Sequence, residues 1–173
     1  MKIIVGSSSL FNKPEFKKYR EPLKNIPFSK FHDYGMNYPP LPIDDSDGGV
    51  EIHNPNFDRK SVSLHSAIEL EDGDCISGHP KEIVNYINNH NIKHLLIAGV
   101  HLNMCILDRP YAIKNLLRYG VPLSIMRDFT DPVYNCKGKG VTRDEIKGQL
   151  LDYIEKYYCP TTSSNDIFLY EKG

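Results

Sequence analysis

The segment "HLLIAGVHLNMCILDRPYAI", residues 94–113, couples a strand to a helix through a cysteine. Its opening, HLLIAGV, is a continuous apolar run that reads as a parallel-sheet strand buried on both faces. The strand ends at Val100, and a helix is expected over roughly 104–119, closing at Gly120 in the left-handed C-cap position. Cys105 then lies in the first helical turn. Unpaired backbone N–H groups and the positive helix end favour a thiolate there, and they suit an oxyanion forming on an attacked carbonyl. The position equally suits a small buried side chain, the ordinary role of a free cysteine. Pro110 interrupts the helical ladder, so the helix kinks there or restarts with Asp108 as its cap. Arg109 points either to solvent or toward the loop region.

Working outward, "KIIVG" (residues 2–6) is a β-branched run stopped by Gly and three serines, a second buried strand. "KPEFKKYREPLKN" is a short charged helix or irregular segment limited by Pro22. Residues 26–60 are the least regular, with "NYPPLPIDDSDGG" dense in Pro, Asp and Gly, and long loops of this kind are often functional. "SVSLHSAIEL" (61–70) reads as a strand entering a turn. "HPKEIVNYINNHN" places Ile83, Val84 and Ile87 on one helical face, with Pro80 in the first turn. "VPLSIM" is the next strand. In the final helix Thr142 and Glu145 form a capping box ahead of the stripe Ile146, Leu150, Leu151, Ile154 and Tyr158. "DIFLY" is read as a last edge strand. Alternation of strands and helices predicts an α/β protein, a three-layer α/β/α sandwich on a mostly parallel, Rossmann-like sheet, in one domain over 1–173.

The chain of 173 residues is 40% hydrophobic and 25% charged, with a formal net charge of −1. That is enough for one substantial core and offers no basic surface for nucleic acid. No run approaches the ~20 apolar residues of a membrane span, and the chain reads as soluble and cytoplasmic. Cys75, Cys105, Cys136 and Cys159 are far apart, without a CxxC pair, so neither a zinc site nor a disulfide framework is expected. Asp44, Asp45 and Asp47 lack the downstream Glu of a calcium loop and read as turn chemistry, in a loop expected to fold over the mouth at Cys105. No metal and no cofactor are predicted. "KIIVGSSS" suits an anion but lacks a nucleotide-binding glycine pattern.

"GVHLNMC" resembles the nucleophile motif of the isochorismatase-like cysteine hydrolases, relatives of nicotinamidases and N-carbamoyl amidohydrolases. The likeness runs through "HNIKHLLIAGVHLNMCILDRPYAIKNLLRYGVPLSIMRDFTD", and "PPLPIDDSDGG" and "IEKYYCPT" resemble one branch of that family. About the last four-fifths of the chain is covered. The resemblance implies hydrolysis of a small amide or related C–N bond, with Cys105 as the nucleophile. It also implies a cis peptide between Val100 and His101, and an oxyanion hole from the N–H groups of His101 and Cys105. Asn103 and Arg109 are the candidate substrate contacts, and a homo-oligomer acting on a small molecule is expected.

Three departures accompany the resemblance. The family's first strand, which ends in a general-base Asp, has no counterpart before "MKIIVGSSS", so the domain reads as N-terminally shortened. The family's Lys has no clear match; Lys60 is near but wrongly spaced. His65 occupies that neighbourhood, as an alternative base or as a structural histidine. Leu102 stands where the family prefers Thr. The other reading is therefore a catalytically silent homologue, serving as a small-molecule binder or an oligomer subunit.

Overall fold

A computed structural model describes residues 2–28, 38–49 and 61–168. Strand β1 (Ile4–Gly6) is followed by a 3-10 helix (Pro14–Tyr19). Next come β2 (Cys75–Ser77), α1 (Pro80–Asn89), β3 (Leu95–Val100), α2 (Cys105–Asp108) and α3 (Ile113–Arg118). The chain continues through β4 (Leu123–Asp131), α4 (Arg143–Tyr157), β5 (Thr161–Thr162) and α5 (Ser164–Phe168). The described pairings are all parallel, as the α/β pattern requires: β1 with β2, β3 with β4, and β4 with β5. They form two sheets, of two and three strands. In the larger sheet Ile97 faces Ile125 but Gly99 faces Thr130, so β4 bulges between those pairs.

Local signals placed several elements correctly. Pro80 opens α1 behind His79, whose Nδ1 accepts the Lys81 N–H at 3.2 Å. The capping box of α4 is complete: Glu145 N–H donates to Thr142 Oγ1, and Thr142 N–H donates to the Glu145 carboxylate. Gly120 takes φ +74° and returns its N–H to Leu117 O.

Other elements differ. The expected helix over 104–119 is two helices, because Arg109 precedes Pro110 and is held extended (φ −63°, ψ 158°), which ends α2. The segment 61–70 is a turn, closed by Ile68 N–H to His65 O. The strand comes later, at Cys75–Ser77, where the three residues are buried. Asp74 anchors it, accepting the N–H groups of Ile3 and Glu71 on its two oxygens, each at 2.9 Å. At the C-terminal end the described strand is Thr161–Thr162, and Ser164–Phe168 is helical where "DIFLY" suggested an edge strand. The Ser164 N–H, shared between the two oxygens of the Asp128 carboxylate at 3.0 Å each, holds that turn.

One cluster forms the core. Ile83 of α1, Leu107 of α2, Ile113 and Leu116 of α3, Ile125 of β4, and Leu150 and Ile154 of α4 are each no more than 2% exposed. Burying a side chain of this size is worth about 1.5–3 kcal/mol. Leu95 and Ile97 of β3 pack against this cluster. Their neighbours do not: Leu96 is 40% and Val100 63% exposed. Thus β3 is covered on one face only, not on both. At the N-terminal end, Glu82 of α1 is 2% exposed, and Arg20 reaches it with two nitrogens, Nε at 3.0 Å from Oε2. Ser77 Oγ donates to the same carboxylate at 2.7 Å, and the Arg20 guanidinium lies 3.6 Å from the centre of the Phe11 ring.

Candidate functional site

The site begins where β3 stops. Its apolar residues end at Val100, and His101 turns the chain through φ +66°. Histidine tolerates the left-handed region better than branched residues do. The His101 carbonyl then accepts the N–H groups of both Met104 and Ile106, at 2.9 and 3.2 Å. Leu102 N–H donates to Asp131 O, which fixes the loop to the end of β4. There is no cis peptide among the described residues, so the Val100–His101 bond is trans. The expected cis peptide is absent, and the unusual backbone at this junction is the positive φ of His101.

This tight loop brings Cys105, at the start of α2, back over the histidine. Cys105 Sγ lies 3.6 Å from His101 Nδ1. The Arg109 guanidinium approaches from the other end of α2, and hydrogen bonding to Cys105 holds it above its ordinary pKa. The backbone N–H groups of His101 and Cys105 have no backbone partner among the described residues. A thiol and an imidazole nitrogen therefore meet at the first turn of α2, with a guanidinium nearby and two N–H groups that have no backbone partner among the described residues.

Beneath the loop is a cavity of about 300 Å³ between the two sheets. Its walls are Ile4 and Gly6 of β1, the whole of β3, and Ile83, Ile106, Tyr111, Ala112 and Leu116, with Cys105 at the margin. No ionisable side chain other than Cys105 and Tyr111 lines it. Tyr111 stands against Gly6 so closely that a Cβ there would lie 2.5 Å from Tyr111 Cδ2. Glycine is what admits the ring.

The remaining predicted residues lie elsewhere. Asn103 is 3% exposed and spends its amide on Val133, donating to the carbonyl and accepting from the N–H, each at 3.0 Å. It positions the loop and does not line the cavity. His65 is exposed, and its Nδ1 accepts the Ala67 N–H. Lys60 lies outside the described residues. The Asp44–Asp47 turn is fastened to the 133–139 segment and does not line the cavity at Cys105: Lys139 Nζ lies 3.0 Å from Asp47 Oδ2 and donates to Asp44 O. Asn135 Nδ2 also donates to Asp47. Among the described residues no three His, Cys, Asp or Glu side chains converge as a metal-ligand set.

The other thiols are differently placed. All four cysteines are unpaired, and burial pushes the Cys75 and Cys159 thiols up to about 12. The role of His101 as the thiol's neighbour went unread in the sequence, although the two residues stand four apart, the spacing that stacks side chains in a helical turn. Tyr111 offered no such signal, because its partner Gly6 is remote in the chain. Comparison with protein-family models, with curated proteins and with solved structures returns no match for this chain.

Proposed function

We propose that this protein is a cysteine-dependent hydrolase of small amides or related C–N bonds, of the isochorismatase-like type that "GVHLNMC" resembles. The observation that carries the reading is the 3.6 Å approach of Cys105 Sγ to His101 Nδ1, beside Arg109 and at the margin of an apolar cavity. In this mechanism His101 Nδ1 takes the thiol proton and the thiolate attacks the substrate carbonyl carbon. The N–H groups of His101 and Cys105 receive the developing oxyanion. Collapse breaks the C–N bond, the leaving nitrogen takes the proton from His101, and water hydrolyses the thioester to acid and free thiol. Arg109 holds the thiolate and any carboxylate of the product.

The small substrate enters at the Cys105 end of the cavity. The unpaired cysteines favour a reducing, cytoplasmic setting. The bare β3 face at Leu96 and Val100 favours a homo-oligomer. A second reading, a silent small-molecule binder, draws support from one observation: no carboxylate hydrogen-bonds His101 among the described residues, so nothing orients the ring from behind.

Ammonia release from a panel of small primary amides tests the proposal. Turnover by the wild type and its loss in Cys105→Ala are expected, together with iodoacetamide labelling of Cys105 well ahead of Cys75 and Cys159. Turnover that survives the substitution removes Cys105 from the chemistry. A wild type inert on the whole panel, with a slowly labelled Cys105, favours the silent binder.

A further inference from the structure

The β3–β4 ladder ends at the pair Val100 and Asp131, and His101 then turns the chain through φ +66°. The attachment to the end of β4 continues beyond that turn. Leu102 N–H donates to Asp131 O at 3.0 Å. Asn103 extends the attachment with its side chain: Nδ2 donates to Val133 O and Oδ1 accepts the Val133 N–H, each at 3.0 Å. A side-chain amide offers a donor and an acceptor in one plane, so it serves Val133 as a peptide group of a neighbouring strand would. Leu102 is 0% and Asn103 3% exposed, so neither attachment yields to water without leaving buried polar groups unpaired.

The segment that receives these bonds is braced from its far side. Arg143, the first residue of α4, donates through Nη1 to Asp131 Oδ2 at 2.8 Å and to Pro132 O at 3.0 Å. Residues 131–133 are thus tied to the loop on one side and to α4 on the other. His101 and Cys105 stand on either side of the tied residues, and their side chains meet at 3.6 Å. Helix α2 cannot fix that meeting alone. It is four residues long, a single turn with little ladder to sustain it, and its N-cap Met104 makes no side-chain cap.

We infer that Asn103 is a positioning residue: its two-way clamp on Val133 sets the approach of Cys105 Sγ to His101 Nδ1, and Arg143 braces the clamp from α4. This rests on the reading of Cys105 and His101 as the reactive pair. Asn103 does not line the cavity, so its effect reaches a substrate only through that pair.

Iodoacetamide labelling of Cys105, resolved from the other thiols by peptide mass spectrometry, tests the clamp without any substrate. His101→Asn is expected to slow labelling at least about tenfold, the worth of a hydrogen bond to a charged group. Asn103→Leu is expected to slow it by a similar factor. Adding His101→Asn to Asn103→Leu is then expected to change little, because the ring has already lost the thiol. Such non-additivity marks positioning, whereas a general loosening of the fold leaves the two effects independent. Arg143→Met is expected to act in the same direction but more weakly, since its ion pair is half-exposed. Asn103→Asp keeps the bond from the Val133 N–H and is expected to restore part of the rate. Should Asn103→Leu fail to fold, judged by its urea midpoint, Asn103→Asp and Arg143→Met carry the same cycle. On any amide the wild type cleaves, Asn103→Leu is expected to lower kcat by up to about 10²-fold with KM unchanged, the cost of a ~1 Å misplacement. Wild-type labelling in a folded Asn103→Leu, labelling indifferent to His101→Asn, or additive effects of the two would each overturn the inference. A wild type inert on amides that still shows the coupled labelling would overturn the hydrolase reading and leave the clamp standing.

Discussion

Cys105 Sγ lies 3.6 Å from Nδ1 of His101 because the chain between them doubles back through a left-handed histidine. The His101 carbonyl closes that loop onto Met104 and Ile106, so one residue supplies the turn, the loop's acceptor and the thiol's neighbour. The backbone geometry and the proposed chemistry thus depend on the same position, and they can be separated by substitution.

His101→Asn tests that separation, since asparagine also tolerates a positive φ. The fold is expected to persist, with an unchanged urea midpoint. The kcat on any amide the wild type cleaves is expected to fall about 10²–10⁴-fold, the usual contribution of a general base. An unchanged kcat would place the proton acceptor elsewhere.

Gly6→Ala tests the contact between β1 and Tyr111 at the cavity wall. The new Cβ would stand 2.5 Å from Tyr111 Cδ2, so the ring must shift. A loss of about 1–3 kcal/mol in chemical denaturation is expected, the range for overpacking. Tyr111→Leu in the same chain is expected to recover part of it, giving a coupling in a double-mutant cycle. Additive losses would mean that the two residues do not press on each other.

Arg20→Met tests the clasp between the N-terminal segment and α1. It leaves the Glu82 carboxylate, 2% exposed, with Ser77 as its remaining partner. Removing one partner of a buried pair costs about 3–5 kcal/mol, and the partial exposure of Arg20 places the expected loss near the bottom of that range, about 3 kcal/mol, read from urea midpoints. A loss within ~0.5 kcal/mol, the ordinary range of a surface substitution, would show that the pair is solvated.

Acid sensitivity is expected at the start of α4. Hydrogen bonding first from the Thr142 backbone and then from its hydroxyl holds the Glu145 carboxyl below its ordinary value. A group depressed in the folded state stabilises fully above its unfolded pKa of about 4.3, and the stabilisation fades as pH falls through the folded value. The difference in melting temperature between wild type and Glu145→Ala is therefore expected to be constant near neutrality and to shrink in acid. A gap that widens in acid would contradict the capping box. Thr142→Ala is expected to cost about 1 kcal/mol near neutral pH.

What was legible in the chain follows a physical division. Pro80 behind His79, Gly120 after α3, and Thr142 with Glu145 act over one turn of backbone, so residue identity alone located the ends of those helices. The apolar runs of "KIIVG", "HLLIAGV" and "VPLSIM" likewise became parallel strands, and Cys105 came directly after the loop that ends one of them. Pro110 was visible as an interruption, and the extended conformation it forces on Arg109 decided between a kink and a break.

Long-range encounters were not legible. Composition shows that Leu96 and Val100 are apolar, but only the tertiary packing leaves them outside the core cluster that covers Leu95 and Ile97. No local pattern turns Asn103 onto Val133 rather than toward the cavity, or sets Tyr111 against Gly6. Turns and caps are satisfied by neighbours in sequence. A strand edge is satisfied by whichever segment folds beside it, and that choice paired β1 with β2 and β3 with β4 while β1 and β3 came to line one cavity.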